Sequence, residues 1–462
     1  MLSTLLNPNY NLKWMIFHSS LGLLCTYSKW FLIIWFYLFI LLSINEIISD
    51  LYFYGRLDKL IFSFIYLVSF EVMGRMVGTY PYLPWELSKY LTLFVTLFLL
   101  LSAKVQKMNL SGFIILLLLI PSVLIDNSGL VELPDLINNL LGPICLGLLI
   151  LVIGYHKIND IQFEMIIKSI WNTSILILVY TIILTPDYSE ISFSLSALSE
   201  TTGQFGSNQV ATILGIGLFF SFYAWMNKLR FSGNHTLDGL FIALFAFQGF
   251  LSFSRGGMFI GVVSIFLYYL LFRSSKVFES VTQIRKLRPL LFFGLAIFFI
   301  FTSYFIIQNL SSGNLTQRYL GQTAGTLSGD KQRTFDTITT GRYSILKSDI
   351  NLWNEYFIFG TGAGASKFMR SDGLYGKSPH TEFSRLLAEH GLFGLFIILI
   401  LLYYLFNIFY FNKSNISRAI LIVLFFIALG TSMHSSMRTF VTPIFLVLST
   451  FNIFNYDQTN NY

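Results

Sequence analysis

Apolar runs of about 17–25 residues recur from one end of this 462-residue sequence to the other, and a helix of that length crosses the hydrocarbon core of a bilayer. Thirteen windows read as spans: 31–48, 60–78, 87–103, 111–125, 139–155, 163–186, 208–226, 236–253, 255–272, 288–308, 392–411, 418–433 and 440–455. Residues 14–28 read as a further short span or an interfacial helix. The alternating segments of about 10 residues that mark a membrane β-barrel are not seen. Only 11% of residues are charged and 55% are hydrophobic, against about 25% charged in soluble domains. Such a chain cannot coat a globule with polar surface, so lipid is its solvent. The expected fold is an all-α polytopic membrane protein with about 12–14 transmembrane helices.

Charge sorts the connecting loops. Lys104, Lys107, Lys157, Lys228, Arg230, Lys413 and Arg418 mark one set, whose densest member spans residues 273–288. The alternate loops 126–138 and 187–207 hold six acidic residues and no Lys or Arg. Lysine and arginine collect on the cytoplasmic side, so the second set faces outward. The break at 252–257, the long loop 309–391 and residues 434–440 lie in phase with it. The chain thus divides into an N-terminal bundle (1–308), a large extracytoplasmic loop with short helices (309–391) and C-terminal spans (392–462). The loop opens on a Gly/Ser/Thr-rich stretch, 311–341, that reads as flexible. A helix follows over 342–358, with Ile345, Ile350, Trp353 and Phe357 near one face.

The net charge of +7 reads as topology, since no basic tract with interleaved aromatics of the kind that binds nucleic acid is present. Cys25 and Cys145 sit in apolar stretches far apart and suggest neither a disulfide framework nor a metal knot. Glu71 and Arg75, spaced i, i+4 in an apolar segment, read as a structural ion pair. The start of the sequence lacks the basic region and cleavage site of a signal peptide.

The stretch from Ser378 to Phe396 combines a histidine, charges and glycines ahead of a long apolar run. Ser378 suits an N-cap and Pro379 the first helical position, which puts His380 in the first turn. Phe383, Leu386, Leu387 and His390 share one face. Glu382, Arg385 and Glu389 share another, with Arg385 in reach of both acids. Gly391 suits the C-cap. A histidine at such a helix start either packs and caps at an interface or serves as a general base, because the helix N-terminus favours neutral imidazole and attracts anions.

His380-Thr381, nine residues, then Gly391 and Gly394 resemble the His-[Asn/Ser/Gln]-x9-Gly-x-x-Gly signature of the bacterial O-antigen ligase/O-antigen polymerase superfamily, with Thr381 a mild departure from it. Three further segments agree. Gly203, Phe205 and Asn208 are similar to a Gly-x-Phe-x-x-x-Asn entry into a span. Residues 252–257, with Arg255, resemble a Ser-Arg-Gly break between spans. Residues 341–368, with Arg342, resemble an Arg-then-Trp helix followed by a Gly-x-Gly turn. The resemblance covers residues 201–411. It departs from the family before Gly203, where Glu200, Thr201 and Thr202 stand in place of a basic residue.

The resemblance implies an integral-membrane glycosyltransferase at the outer face of the bacterial inner membrane. The donor is a glycan on undecaprenyl diphosphate and the acceptor a glycan or lipid hydroxyl. No cofactor is expected, and the lack of an Asp-x-Asp motif suits catalysis without a metal. His380 is the implied base, and Arg255 and Arg342 the implied diphosphate ligands. His434, Arg438, Asn208, Lys367 and Arg370 are secondary substrate-binding candidates. Two enzymatic readings stand: a repeat-unit polymerase of surface polysaccharide (O-antigen or capsule), which is favoured, and a ligase that passes finished glycan to lipid A core or another acceptor. Arg318, ten residues and Gly329 match a pattern linked with polymerases. A chain-length regulator and a flippase are the partners such a polymerase would have, besides membrane lipid. The non-enzymatic alternative is a transporter or flippase of lipid-linked oligosaccharide, which would place charges or Gly/Pro breaks at the midplane of spans in both halves.

Overall fold

A computed structural model describes residues 8–101, 108–127, 129–274, 283–371, 373–411 and 415–454. Lys104, Lys107, Lys276 and Lys413 lie outside the described residues, and the side chains of Arg285 and Lys286 are likewise not described.

The fold is all-α. In chain order the helices are α1 (Asn11–Tyr27), α2 (Trp30–Tyr54), α3 (Asp58–Tyr66), α4 (Phe70–Val77), α5 (Leu87–Leu101), α6 (Leu110–Val123), α7 (Leu133–Ile153), α8 (Asp160–Leu184), α9 (Ser207–Asn227), α10 (His235–Leu251), α11 (Arg255–Arg273) and α12 (Gln283–Leu310). Four short helices and a longer one follow in the loop: α13 (Asn314–Tyr319), α14 (Ala324–Leu327), α15 (Phe335–Thr339), α16 (Arg342–Glu355) and α17 (Ser366–Met369). The chain closes with α18 (Glu382–Phe411), α19 (Asn415–His434) and α20 (Val441–Ser449). Among the described residues nine helical segments are long and apolar enough to cross a membrane, and α5, α6 and α10 are shorter apolar helices.

Twelve of the thirteen sequence windows fall on helical segments, and the thirteenth is corrected. The window 440–455 holds only the nine residues of α20 before the chain turns into a strand, β2 (Asn452–Phe454). That strand pairs in parallel with β1 (Lys157–Asn159). At about 1.5 Å per residue α20 is too short to span the bilayer, and it is buried along its whole length. Residues 14–28 lie largely within α1, which presses its buried face, including Leu21, Gly22 and Cys25, into the bundle. A Cβ on Gly22 would sit 2.6 Å from the Leu176 carbonyl oxygen of α8.

One close helix crossing joins α9 to α11. A Cβ on Gly257 would meet the Ala211 backbone at 2.3 Å, and one on Gly261 would meet the Gly215 oxygen at 2.5 Å. Small residues four apart on both helices let the backbones touch, the packing that holds helices together in lipid, where apolar side chains gain nothing from one another. Gly257 of the 252–257 break is therefore structural, and Arg255 stands two residues before it at the first position of α11.

The loop is folded along its length. Thr323 and Thr334 each make a capping box with the threonine three residues on, so the Gly/Ser/Thr-rich stretch read as flexible is a run of short capped helices. The face that α16 buries is Ile345, Asp349 and Leu352; Phe357 is exposed. The expected face is rotated because Asp349 accepts hydrogen bonds from Arg370 and Ser384 inside the loop. Residues 360–362 then dock on the end of the helical segment 382–390. Thr361 N donates to Ala388 O at 2.8 Å and Gly362 N to Glu389 O at 3.1 Å. At Gly391 α18 breaks, with φ 58° and ψ −131°. A Cβ there would lie 2.5 Å from Gly360 N, so only glycine permits the approach.

Candidate active site

Four stretches of sequence that carry the family resemblance meet at the loop end of the bundle. Asn208, in the first turn of α9, accepts from Ser254 Oγ through its Oδ1 at 2.9 Å. Its backbone oxygen lies 3.3 Å from His434 Nε2. The other His434 nitrogen, Nδ1, sits 3.0 Å from Arg342 Nη1 at the start of α16. The His434 ring lies over Gly256, where a Cβ would come within 2.0 Å of Nδ1. The N-terminal ends of α9, α11 and α16 are thus tied together through one imidazole. Free N–H groups and the partial positive charge of helix starts favour an anion there.

Arginine adds to that field. Arg255 Nη1 donates to Arg318 O at 3.1 Å, and Arg318 Nη1 donates to Leu195 O at 2.9 Å. Arg318 Nε is buried without a partner. Among the described residues no carboxylate forms an ion pair with Arg255, Arg318, Arg342 or Arg438. Burial, and then the charges of Arg255 and Arg342, pull the Arg318 guanidinium down to about 10. Burial, and then Arg255 and Arg438, do the same to Arg342. Several partly buried cations that repel one another, with no paired acid among the described residues, raise a local positive field that favours an anion.

His380 stands beside this cluster. Helix α18 begins at Glu382, so His380 precedes the helix instead of occupying its first turn, and Ser378 is exposed and caps nothing. Thr381 bonds to Ser384 at the helix start. The segment is held from outside, where Arg438 donates to the Pro379 oxygen and Ser436 Oγ donates to the same oxygen at 3.3 Å. Desolvation, followed by the charges of Arg438, Arg342 and Arg370, lowers the His380 pKa to about 4. The imidazole is therefore neutral and able to accept a proton.

Two secondary candidates are engaged with carboxylates. Arg370 is buried and donates to Asp349 Oδ1 through Nε at 3.0 Å and Nη2 at 2.6 Å. Lys367 Nζ pairs with Asp135 at 2.7 Å. Glu71 pairs with Arg75 at 3.0 Å, as its spacing suggests, and also with Lys89 of α5 at 3.1 Å. The charged face of the 382–390 helix is buried as well. Arg385 bridges Glu382 and Glu389, Ser366 and Asn139 donate to Glu389, and Met437 N donates to Glu382.

The sequence singled out Asn208, Arg255, Arg342, His380, His434 and Arg438, and the fold links all six through contacts or through charge. Arg318 is a cluster member that only its spacing to Gly329 hinted at. The Arg385 network went unread as a buried feature because helical periodicity does not separate a polar face turned to water from one turned to a protein cavity.

No curated protein and no solved structure similar to the chain was found. A family model described as O-antigen ligase matches residues 240–399, about a third of the chain. The matched segment holds Arg255, Arg318, Arg342 and His380 and is similar to the O-antigen ligase family over that stretch.

Proposed function

We propose that the protein transfers a glycan from undecaprenyl diphosphate to an acceptor hydroxyl at the periplasmic face of the bacterial inner membrane. The observation that carries this reading is the acid-free cluster of Arg255, Arg318 and Arg342 beside a histidine held neutral. The acceptor oxygen attacks the anomeric carbon and gives its proton to His380. The bond from that carbon to the diphosphate oxygen breaks, and the departing diphosphate gains negative charge. Arg255, Arg318 and Arg342 stabilise that charge where it grows, which is where fixed electrostatics lower a barrier most. His434 and Asn208 position Arg342 and the Ser254–Arg255 break.

The favoured version is repeat-unit polymerisation. It is supported by Arg318, whose spacing to Gly329 matches a polymerase-linked pattern and whose guanidinium joins the cluster. The description of the matching family supports the second version, ligation to a terminal acceptor.

Substitution at His380 tests the chemistry. General-base catalysis is worth about 10²–10⁴ in rate. In cells carrying His380→Ala, polymer should vanish while lipid-linked single units accumulate. His380→Gln keeps size and hydrogen bonding but accepts no proton, so it should fail nearly as badly. Chain synthesis at near wild-type rate in His380→Gln would overturn the assignment.

A further inference from the structure

A cavity lies next to His380, and its chemistry differs from that of the arginine cluster. It has a volume of about 270 Å³ and sits between α5, α7 and the start of α18, with Ser378, Pro379 and Arg438 on its wall. Pro379 precedes His380 directly, and Arg438 bonds to the Pro379 oxygen. The cavity therefore opens beside the proposed base, on the side where Ser378 stands.

Its charges are balanced. Arg75 pairs with Glu86 at 2.6 Å and with Glu71, Lys89 with Glu71, Lys367 with Asp135, and Arg385 with Glu382 and Glu389. Every cation on the wall except Arg438 already has a carboxylate. Except at Arg438, whose guanidinium is held by the Pro379 oxygen, an anionic ligand would have to displace one of those carboxylates, whereas a neutral polyol would not. A wall of paired ions and amides offers both donors and acceptors at short spacing, which suits the hydroxyls of a sugar ring. Two polar groups remain open for a ligand: Asn138 and Ser378 are exposed on the cavity wall and make no side-chain hydrogen bond among the described residues. The volume is small against the roughly 300–1,000 Å³ of pockets for drug-sized ligands, so the cavity holds a sugar or two and not a long chain.

We infer that this cavity between α5, α7 and α18 binds the acceptor end of the glycan, and that the acceptor residue is an uncharged sugar. The inference rests on the transferase reading of His380 and adds a division of labour to it. Anion chemistry lies with Arg255, Arg318 and Arg342, hydroxyl recognition lies with the balanced cavity, and the base stands between them.

The test uses the purified full-length protein, with transfer measured on lipid-linked substrate and the donor side probed with inorganic pyrophosphate by thermal shift. Asn138→Trp fills the cavity from an exposed position and should abolish transfer while the pyrophosphate shift stays at its wild-type value. Asn138→Ala removes a single neutral hydrogen bond and should raise the acceptor KM about threefold to tenfold with little change in kcat. Wild-type transfer by Asn138→Trp, or an unchanged acceptor KM in Asn138→Ala, would overturn the inference. Loss of the pyrophosphate shift in Asn138→Ala would also overturn it, because the cavity would then belong to the donor. Linkage analysis of the wild-type product should show an uncharged sugar as the residue that receives the glycan; a uronic acid or a phosphorylated sugar there would refute that part. Failure of the wild-type protein itself to bind pyrophosphate or transfer glycan would instead count against the transferase reading.

Discussion

Removing Arg342 should leave the empty protein at least as stable and the enzyme inactive. Burial and the neighbouring Arg255 and Arg438 charges hold its guanidinium down to about 10. Against an ordinary value of about 12.5, at about 1.4 kcal/mol per pH unit, that is on the order of 3 kcal/mol held against the folded state. Arg342 is partly exposed, and solvent screening reduces the figure by roughly half. Arg342→Gln removes the charge but is two bonds shorter, so it also gives up the contact to the His434 nitrogen that lies 3.0 Å from the arginine, at a cost of about 0.5–1.5 kcal/mol. The net gain without ligand is then at most about 1 kcal/mol, or roughly 1–2 °C in a chain of this size. Losing a charged hydrogen bond to phosphate costs about 1.5–3 kcal/mol, a weakening of pyrophosphate binding by about tenfold to 150-fold. Thermal melting of purified protein with and without pyrophosphate reads both effects. A ligand at 100 times its Kd adds about 2.7 kcal/mol to the wild type, and about half to nearly all of that gain should be absent in the variant. A variant that melts lower in anion-free buffer and gains as much from pyrophosphate as the wild type would refute the reasoning.

The pH profile should report the low His380 pKa. Because the free imidazole titrates near 4, it is neutral and competent above that pH, so kcat/KM should stay flat from about pH 8 to pH 5 and fall only below; an acid limb near 6.5 would contradict the described environment. Bound diphosphate offsets the arginine charges that depress this pKa, so the acid limb of kcat should lie at higher pH than that of kcat/KM. Adjacent glycines should fail differently: Gly256→Ala meets the His434 ring first and should lower activity with the smaller loss of melting temperature, whereas Gly257→Ala meets the Ala211 backbone at 2.3 Å and should destabilise the protein by about 2 kcal/mol or more. For sidedness, Ser328→Cys in whole cells should react with a membrane-impermeant thiol reagent, and labelling only after lysis would overturn the outward placement of residues 309–391.

The span pattern was legible because lipid imposes it on every helix. Apolar length is written into sequence by the bilayer, and the windows missed only where a helix is buried in protein instead, as α20 is. The identity of the acid-poor cluster was half legible. Arg255 and Arg342 sit in segments of recognisable spacing, but Arg318 reaches them from a glycine-rich stretch whose path depends on threonine caps and on its own bond to Leu195. The turn chemistry at His380 was misread for a related reason. Ser378-Pro379 satisfies every local rule for a helix start, yet Arg438 and Ser436 bind the Pro379 oxygen, and the helix starts three residues later than Pro379. Tertiary partners overrode a correct local preference.

The glycines and the arginines of the resembling segments answer one physical requirement. Arginines with no carboxylate repel each other, and on a yielding scaffold they would spread apart or turn to water. Here the backbone holds them. Arg255 is pinned to the Arg318 carbonyl and Arg318 to Leu195. Arg342 is pinned to an imidazole that only Gly256 leaves room for. Beneath them α9 and α11 touch backbone to backbone at Gly215, Gly257 and Gly261. The repulsion is thus met once, at folding, by close packing. A diphosphate arriving at the cluster finds its counter-charges already in place and reorganises little, which is the condition under which fixed charges lower a barrier most. The same logic explains why the Arg385 ions can be buried without being reactive. Each has its partner, so that network shapes a cavity without an unbalanced charge of its own, whereas the unpaired arginines carry the charge on which the proposed diphosphate site depends.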